Sequence, residues 1–431
     1  MQLLGAWRRG AWGVVLLGAC AAGLQTPPPG AHYSRSSGAA RMGHPRAVTA
    51  TLSDEIVQVT RSDVTVKELN AMRLGGGCHS VVNDAPPDVD PFGMVGHILA
   101  PLAAEVRSQL GAESTMLHQS ATHFFGAGSA REGKRVRPVI VLLMGLATAA
   151  SGGATHAHAS AAEGDAGGEL EGLGPHAKLA AIVEMIHTAS LIHDDVLDAA
   201  DTRRGGTAVH KLFNNKAAVL SGDFLLARAA VALAQLGDDQ VVREMSKSLE
   251  ALVQGELMQL KSSEEERLSL EYYLTKSYCK TASLMAFSCK SAALLSGHAL
   301  ESETTIAAEK FGYHFGLAFQ VIDDLLDFTG TSDTLGKPGL QDMSLGLSTA
   351  PVLYAADEHP ELRALITRKF ANEGDVQRAC EMVLASSGLQ HTKKLATFHA
   401  QAAVDACCSL PPGDARDGMI RLCHVVLSRS S

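Results

Sequence analysis

The sequence predicts an all-α protein, and three observations lead to this prediction. Long stretches such as residues 178–193, KLAAIVEMIHTASLIH, carry apolar residues at helical spacing without Gly or Pro. Hydrophobic residues make up 46% of the chain, which suffices for a large core. No segment shows the alternating strands or the Gly-rich strand-to-helix turn of an α/β nucleotide-binding fold.

The N-terminal stretch has the composition of a targeting leader. No acidic residue precedes Asp54. The stretch lacks Lys but contains several arginines: Arg8, Arg9, Arg35, Arg41 and Arg46. An Arg-rich, Ser-containing and acid-free segment is typical of a mitochondrial transit peptide. We therefore predict a mitochondrial protein.

A second interpretation of this stretch stays open. Residues 11–24, AWGVVLLGACAAGL, resemble the apolar core and cleavage site of a secretory signal, so the secretory pathway or another organelle is the alternative. The run is too short for a membrane span. Residues 25–88 are rich in Pro, Gly and Ser, which predicts a flexible linker without a fold of its own. The sequence thus divides into a leader and linker at 1–88 and a folded domain at 89–431.

The first helix of this domain should begin at Asp90, where an Asp-Pro start precedes apolar residues at helical spacing. A basic segment follows, in which Lys134, Arg135 and Arg137 stand just before Pro138 and an apolar helix. Proline in the first helical turn leaves these cations beside a helix N-terminus, where anions bind well. A solvated basic turn is the alternative.

Residues 150–176 are rich in Gly and Ala and show no periodicity, which predicts a low-complexity loop inserted between helices. The helix predicted at about 177–200 carries the first acidic cluster. Asp194 and Asp198 are four residues apart and therefore share a helix face, with Asp195 beside them.

Hard carboxylate oxygens with open coordination positions suit Mg²⁺, which also binds waters and phosphate oxygens. Arg203 and Arg204 follow directly, and their guanidinium groups match phosphate geometry. Acids that bind a cation, followed by arginines that bind phosphate, indicate a metal-bridged diphosphate. Taken alone, the stretch could equally be a solvated, salt-bridged helix end.

The chain repeats the acidic pattern in residues 319–330, FQVIDDLLDFTG. Asp323, Asp324 and Asp327 have the spacing of the first cluster and again end an apolar helical stretch. Acid pairs flanked by apolar residues are costly without a ligand, so the repetition favours a binding site over surface decoration.

Charge and cysteine content limit the remaining classes. The net charge of −9 gives no global basic field, so nucleic acid is not an expected partner. The eight cysteines show neither metal-ligand spacing nor a disulfide framework, and we predict reduced thiols in a reducing compartment.

Several of these stretches together resemble one enzyme family. LIHDDVLD with RRGG behind it, VIDDLLD and the upstream GKRVRP resemble the aspartate-rich and basic motifs of the trans-isoprenyl diphosphate synthases. MIHTASLIHDD, KAAVLSGDFLLARA and GLSTAPVLYAADEHPEL are most similar to the long-chain branch, the catalytic subunits of mitochondrial decaprenyl and solanesyl diphosphate synthases. The resemblance covers roughly residues 90–431.

The resemblance implies an isoprenoid synthase-like helical bundle, with the two acidic clusters facing each other across a central cavity. It implies a Mg²⁺-dependent prenyltransferase that adds isopentenyl diphosphate repeatedly to an allylic prenyl diphosphate. The all-trans polyprenyl product would supply the ubiquinone side chain. It also implies a homodimer or a heteromer with a divergent synthase subunit, and peripheral membrane association for product release.

The resemblance assigns roles to individual residues. The predicted catalytic residues are Asp194, Asp195, Asp198, Asp323, Asp324 and Lys280, and the predicted metal ligands are these acids together with Asp327. Residues matched to the isopentenyl diphosphate site are Lys134, Arg137, His187 and Arg204. Residues matched to the allylic diphosphate are Arg203, Lys280, Thr281 and Lys337, and Gln320 is matched to another substrate-contact position.

Two small residues bear on the length of the product, and one residue differs from the family pattern. Ala189 and Ser190 lie about one turn before Asp194, where bulk limits product length in the family, so they imply a long tunnel and a long product. Leu347 stands where the family often has a second lysine after Lys337. The loop therefore has one cation fewer to bind the leaving group. From the residues alone, His187 could instead be a satisfied core histidine.

Two alternatives remain. One is another enzyme of the same fold, either a terpene cyclase or a short-chain synthase. A cyclase would not need Lys134, Arg137 and Arg204, and a short-chain enzyme would be expected to have bulk near Ala189. The other is a non-catalytic subunit of a heteromeric synthase, which the two intact acidic clusters disfavour. The sequence does not determine the product length, the allylic primer, the leader cleavage site or the choice between homo- and hetero-oligomer.

Overall fold

The structure is a computed structural model that describes residues 78–109, 135–149, 174–203, 206–329 and 340–429. The predicted leader and its alternative lie outside the described residues. So do Lys134, Arg204 and Lys337.

The described chain is helical apart from one short ribbon, which confirms the predicted all-α class. The ribbon pairs β1 (Thr202–Arg203) antiparallel with β2 (Gly206–Thr207). One π-helical turn, Tyr278–Ala282, joins two helices. The described helices are α1 (Pro91–Gln109), α2 (Val136–Ala149), α3 (Pro175–Leu197), α4 (Val209–Phe213), α5 (Asn215–Gln235), α6 (Asp239–Lys261), α7 (Glu264–Arg267), α8 (Leu270–Ser277), α9 (Ser283–Leu295), α10 (Glu303–Thr329), α11 (Gln341–Ser344), α12 (Ala350–Glu358), α13 (Glu361–Thr367), α14 (Asp375–Ala385), α15 (Gly388–Cys407) and α16 (Asp414–Leu427).

The starts of two helices follow the sequence signals. The Asp90 carboxylate accepts a hydrogen bond from the Phe92 N–H at 3.1 Å, so Asp90 caps α1 as its Asp-Pro start predicts. Helix α3 begins at Pro175, two residues before the predicted start, because proline is favourable in the first helical turn. The predicted insertion at 150–176 therefore overlaps the start of α3, and its residues 150–173 lie outside the described part of the chain.

Helix α10 lies at the centre of the packing, against α9 on one side and α15 on another. Two glycines allow the approach to α9 and the π-helical turn. A Cβ at Gly316 would lie 2.5 Å from the Ala282 Cα, and one at Gly312 would clash with the Met285 carbonyl. Helix α3 packs between α2 and α5. The two helices that carry the acidic clusters, α3 and α10, are thus each packed against other helices of the domain.

A disulfide corrects the prediction of reduced thiols. Cys78 and Cys408 are bonded, with their Cα atoms 5.7 Å apart although 330 residues separate them in the chain. The separation explains why no spacing pattern revealed the pair. The remaining described cysteines are free and buried: Cys279, Cys289, Cys380, Cys407 and Cys423.

The disulfide also fastens part of the predicted linker to the domain. The Val81 N–H donates to Gln401 Oε1 of α15 at 3.0 Å, and Gln401 Nε2 donates to the His79 carbonyl at 2.9 Å. Val81 itself is buried. The boundary at residue 88 stays a prediction, but residues 79–81 already pack on α15.

Candidate active site

Both acidic clusters line one cavity of about 1330 Å³. Asp194 and Asp198 reach it from α3, and Asp323 and Asp324 reach it from α10. Predicted substrate contacts that line the same cavity are Arg137, His187, Arg203, Lys280, Thr281 and Gln320. The structure therefore gathers residues that are almost two hundred positions apart in the sequence.

Asp194 stands in a strongly acidic environment. Burial, together with the neighbouring carboxylates of Glu256 and Asp198, raises its pKa to about 7 against the opposing charge of Lys280. Burial likewise raises the pKa of Asp198. Glu256, on α6, carries no motif that marks it as a site residue, and only the folded chain brings it to Asp194.

Asp195 is not among the residues that line the cavity, unlike Asp194 and Asp198. It is fully buried, and its Oδ1 accepts a hydrogen bond from Arg203 Nε at 2.6 Å. The ribbon of β1 and β2 holds Arg203 in this position, on the cavity wall. Asp195 therefore orients Arg203 in this structure, and its role as a metal ligand stays a prediction.

The second cluster is organised by a chain of hydrogen bonds. The Tyr273 hydroxyl donates to Asp324 Oδ2 at 2.5 Å, and Gln320 Nε2 donates to Asp324 Oδ1 at 2.7 Å. Thr281 Oγ1 in turn donates to Gln320 Oε1 at 2.6 Å. Burial raises the pKa of Asp324 to about 6, although both hydrogen bonds oppose this shift. Of the two predicted substrate contacts, Gln320 is thus bonded directly to a predicted metal ligand, and Thr281 is linked to it through Gln320.

The other acids of the second cluster have partners that the sequence did not reveal. Arg429, after α16, donates from Nη1 to Asp323 Oδ1 at 2.7 Å, and its Cζ lies 4.7 Å from the Phe319 ring centre. Arg429 lies a hundred residues from Asp323 in sequence and outside every recognised motif. Only the folded chain places this cation at the cluster.

Asp327 points toward α11. Its two oxygens accept hydrogen bonds from the N–H groups of Gln341 and Asp342 at 2.9 and 3.2 Å. Asp342 lines the cavity, and burial together with the charges of Asp324 and Asp327 raises its pKa to about 8. Asp327 therefore positions α11 and its acid, and its own role as a metal ligand stays a prediction.

Lys280 and Thr281 enter the cavity from the π-helical turn. Such turns are rare and are frequent at functional sites. Lys280 Nζ lies 2.7 Å from Glu256 Oε1 and 3.0 Å from Gln259 Oε1. Gly255 makes room for the lysine, since a Cβ there would lie 2.6 Å from Lys280 Cγ.

One part of the cavity wall holds the described residues of the predicted isopentenyl diphosphate site. Arg137 Nη1 lies 3.0 Å from His187 Nε2, and both side chains line the cavity. His187 is half-buried and faces the cavity, so it is not enclosed in the core. Glu184, one turn earlier on α3, is a buried acid of this wall that the sequence analysis missed.

The two predicted chain-length residues point in different directions. Ser190 lines the cavity one turn before Asp194, and its hydroxyl donates to the His187 carbonyl at 2.9 Å. Ala189 is fully buried in the hydrophobic core. Ser190 is therefore the residue at which added bulk would enter the cavity.

The acids fit a hard divalent cation. Within the described ranges, no three His, Cys, Asp or Glu side chains form a ready-made metal site. Mg²⁺ commonly binds one or two carboxylates and takes its other ligands from water and substrate phosphates. The raised pKa of Asp194 reflects burial first and the neighbouring carboxylates second, and a cation between these carboxylates would relieve their repulsion.

These acids should make the metal-free protein less stable as the pH rises. The folded-state pKa values of Asp194 and Asp342, about 7 and about 8, lie above the unfolded value of about 4. Such groups stabilise the folded state below the unfolded pKa, and this contribution is lost as the pH rises through the folded pKa. With a chelator present, Tm should fall between about pH 5.5 and about pH 8, and Mg²⁺ should recover part of the loss.

The Asp194→Asn variant is the matched control, because it keeps the shape of the side chain and removes its titration. Its Tm should depend less steeply on pH than that of the wild type when both are measured by calorimetry in chelator. Equal slopes for the two proteins would contradict the assignment of a raised pKa to Asp194.

Comparison with known proteins identifies the family. The family model described as Polyprenyl synthetase matches residues 115–383. A mitochondrial solanesyl-diphosphate synthase of Oryza sativa subsp. japonica is 45% identical over 76% of this chain and 74% of its own length. A probable mitochondrial hexaprenyl pyrophosphate synthase of Neurospora crassa is 40% identical over 80% of this chain and 83% of its own.

A solved structure agrees with these relatives. A polyprenyl synthase of Caulobacter crescentus CB15, complexed with calcium and isoprenyl diphosphate, superposes with a TM-score of 0.67 at 30% identity. The alignment covers 79% of this chain and 97% of that one. The predicted isoprenoid synthase-like bundle is therefore confirmed.

The comparisons also confirm the predicted function and localisation. The similar proteins are long-chain synthases, which favours that function over the short-chain and non-catalytic alternatives. Their names place them in the mitochondrion, as we predicted for this chain. Use of a divalent metal is general in the family. The chain belongs to the polyprenyl synthetase family and is a prenyltransferase, a long-chain polyprenyl diphosphate synthase.

Proposed function

We propose that the cavity joins isopentenyl diphosphate repeatedly to an allylic prenyl diphosphate, and that the all-trans product supplies the ubiquinone side chain. The observation that carries this proposal is the convergence of two acidic clusters and several cations on one cavity. One acidic cluster with its cations would suit a single diphosphate. Two acidic clusters, each with a cation beside it, and Arg137 on the same cavity suit two diphosphate substrates.

The metal in this proposal is Mg²⁺. Asp194, Asp198, Asp323 and Asp324 would hold it, with Asp195 and Asp327 as further predicted ligands. Bound Mg²⁺ would neutralise the diphosphate of the allylic substrate and favour its departure.

The chain's own cations act on the same leaving group. Lys280 and Arg203 lie on the cavity wall, where each can donate to diphosphate oxygens as the allylic C–O bond breaks and its electron pair moves to oxygen. Lys337, outside the described residues, is proposed to do the same. The partners of the two described cations, Glu256 and Asp195, hold them in place before substrate binds.

Arg137 and His187, together with Lys134 and Arg204, are proposed to hold isopentenyl diphosphate with its double bond toward the allylic cation. The π electrons form the new C–C bond, and a proton then leaves the adjacent carbon for the released pyrophosphate. Apolar lining residues such as Leu191 and Phe315 exclude water, which would otherwise quench the cation.

A product assay tests this function. Full-length protein with Mg²⁺, labelled isopentenyl diphosphate and farnesyl or geranylgeranyl diphosphate should give a ladder of polyprenyl diphosphates that ends at a long chain. The end of the ladder also gives the product length. Folded protein that yields no product, alone and with a divergent synthase subunit, would contradict the proposal.

We further propose that the chain associates with a second synthase chain, identical or divergent. Neighbouring helices α5 and α6 expose apolar side chains in one region: Val219, Leu220, Val231, Val253, Leu257 and Leu260. Residues 253, 257 and 260 share one face of α6. Light scattering of the full chain, alone and with a divergent subunit, distinguishes a homodimer from a heteromer.

We propose that the protein associates with the membrane surface, as a peripheral protein, when it releases its product. Among the described helices, α5 (Asn215–Gln235) is long and apolar enough to cross a membrane, but core helices of soluble proteins meet the same criterion. Helix α5 packs against α3. Sedimentation with lipid vesicles, with and without long-chain product present, tests this association.

A further inference from the structure

Lys276 is a cation of the cavity wall that the mechanism has not used. It lies on α8, one turn before Lys280 and therefore on the same side of the helix. It lines both the main cavity and a smaller adjoining pocket of about 280 Å³. The acids whose charges act on it include Asp324 and Asp342, on the side of the second cluster.

Other cations on this wall are already neutralised. Lys280 pairs with Glu256, Arg203 pairs with Asp195, and Arg429 pairs with Asp323. By contrast, no side chain in the described ranges makes an ion pair or hydrogen bond with Lys276 Nζ. Lys276 therefore presents a charge that is available to a ligand.

Asp324, a predicted metal ligand whose charge acts on Lys276, is bonded to other residues. Both Asp324 oxygens already accept hydrogen bonds, from Tyr273 and Gln320. Burial disfavours the charged form of Lys276 and lowers its pKa. A half-buried ammonium without a partner is costly, and a phosphate oxygen in the cavity would relieve that cost.

Residues 340–349, which lie beside Lys276, supply no positive charge of their own to this edge of the cavity. Leu347 lines the same two pockets as Lys276, and residues 340–349 contain no Lys, Arg or His. The described part of the loop therefore offers no cation to a diphosphate at this edge of the cavity. Lys276 approaches the same edge from α8.

We propose that Lys276 binds the diphosphate of the allylic substrate on the side of the second acidic cluster, in place of a cation at position 347. This inference rests on the proposed function, because it assigns a residue to the diphosphate site of that reaction. Lys276 contributes charge to both the bound substrate and the leaving group, while the isopentenyl diphosphate wall lies on other helices.

The experiment compares Lys276→Met, Lys276→Arg and the double variant Lys276→Met with Leu347→Lys in the full-length protein. Two readouts are used: calorimetric binding of inorganic pyrophosphate with Mg²⁺, and the KM for each substrate. Loss of a charge-assisted hydrogen bond should weaken pyrophosphate binding about 10-fold or more in Lys276→Met. The KM for the allylic diphosphate should rise similarly, while that for isopentenyl diphosphate should change less than about 2-fold.

Controls separate charge from structure. Lys276→Arg should bind pyrophosphate nearly as well as the wild type, and Leu347→Lys should recover part of the loss in the double variant. Lys393→Met removes an exposed lysine of α15 and should change neither readout. Wild-type pyrophosphate affinity in folded Lys276→Met would overturn the assignment of Lys276. A wild-type protein that neither binds pyrophosphate nor forms product would instead overturn the proposed function.

Discussion

Asp194→Ala should lower kcat by about three orders of magnitude. The substitution removes a carboxylate of the first cluster that is proposed to hold the cation that stabilises the leaving diphosphate. Asp194 lines the cavity and interacts with both Glu256 and Lys280. Without the Asp194 carboxylate, a divalent cation loses a ligand. Glu256 and Lys280 remain paired with each other. Product formation at saturating substrates and Mg²⁺ measures the effect.

The same substitution should leave the fold intact. Asp194 carries a raised pKa in the folded state, so removal of its charge near pH 8 should preserve or increase Tm. Asp357→Ala is the control, because Asp357 is an exposed acid that pairs with Arg363 far from the cavity wall. Turnover like that of the wild type by folded Asp194→Ala would defeat the proposed metal role.

Ser190→Phe should shorten the product by several isoprene units. Ser190 lines the cavity one turn before Asp194, and a phenyl ring there would occupy space that the growing chain needs. Early condensations should continue, because the residues around the diphosphates are unchanged. Separation of the products by chain length measures the shift, and Ser190→Ala should retain the wild-type distribution.

Ala189→Phe gives the contrasting case. Because Ala189 is fully buried in the core, the larger side chain should destabilise the fold by about 1–3 kcal/mol through overpacking. The sequence treated the two small residues alike, whereas the structure separates their effects. A folded Ser190→Phe protein with an unchanged product distribution would count against the proposed tunnel.

Helical spacing alone is enough to predict the two acidic clusters. Asp194 and Asp198, and likewise Asp323 and Asp327, are four residues apart, so each pair lies along one side of a helix. Spacing does not determine which way each side chain turns. Asp195 turns toward Arg203, and Asp327 turns toward α11.

Residues that come from other helices were missed for a different reason. Glu256, Tyr273, Lys276 and Arg429 are ordinary residues of amphipathic segments, and no spacing relates them to an aspartate. They reach the site because α6, α8 and α16 pack around the cavity. Their contribution to charge and hydrogen bonding is therefore a property of the packing.

The sequence by itself determined the helical class, the two acidic faces and the family, because these depend on local periodicity and on short runs of residues. Only the tertiary structure decided which acids line the cavity, which cations have partners and that Cys78 bonds to Cys408. Burial and electrostatic interactions act over a few ångströms in space. They therefore cannot be inferred from the separation of two residues along the chain, because they depend on how the helices pack.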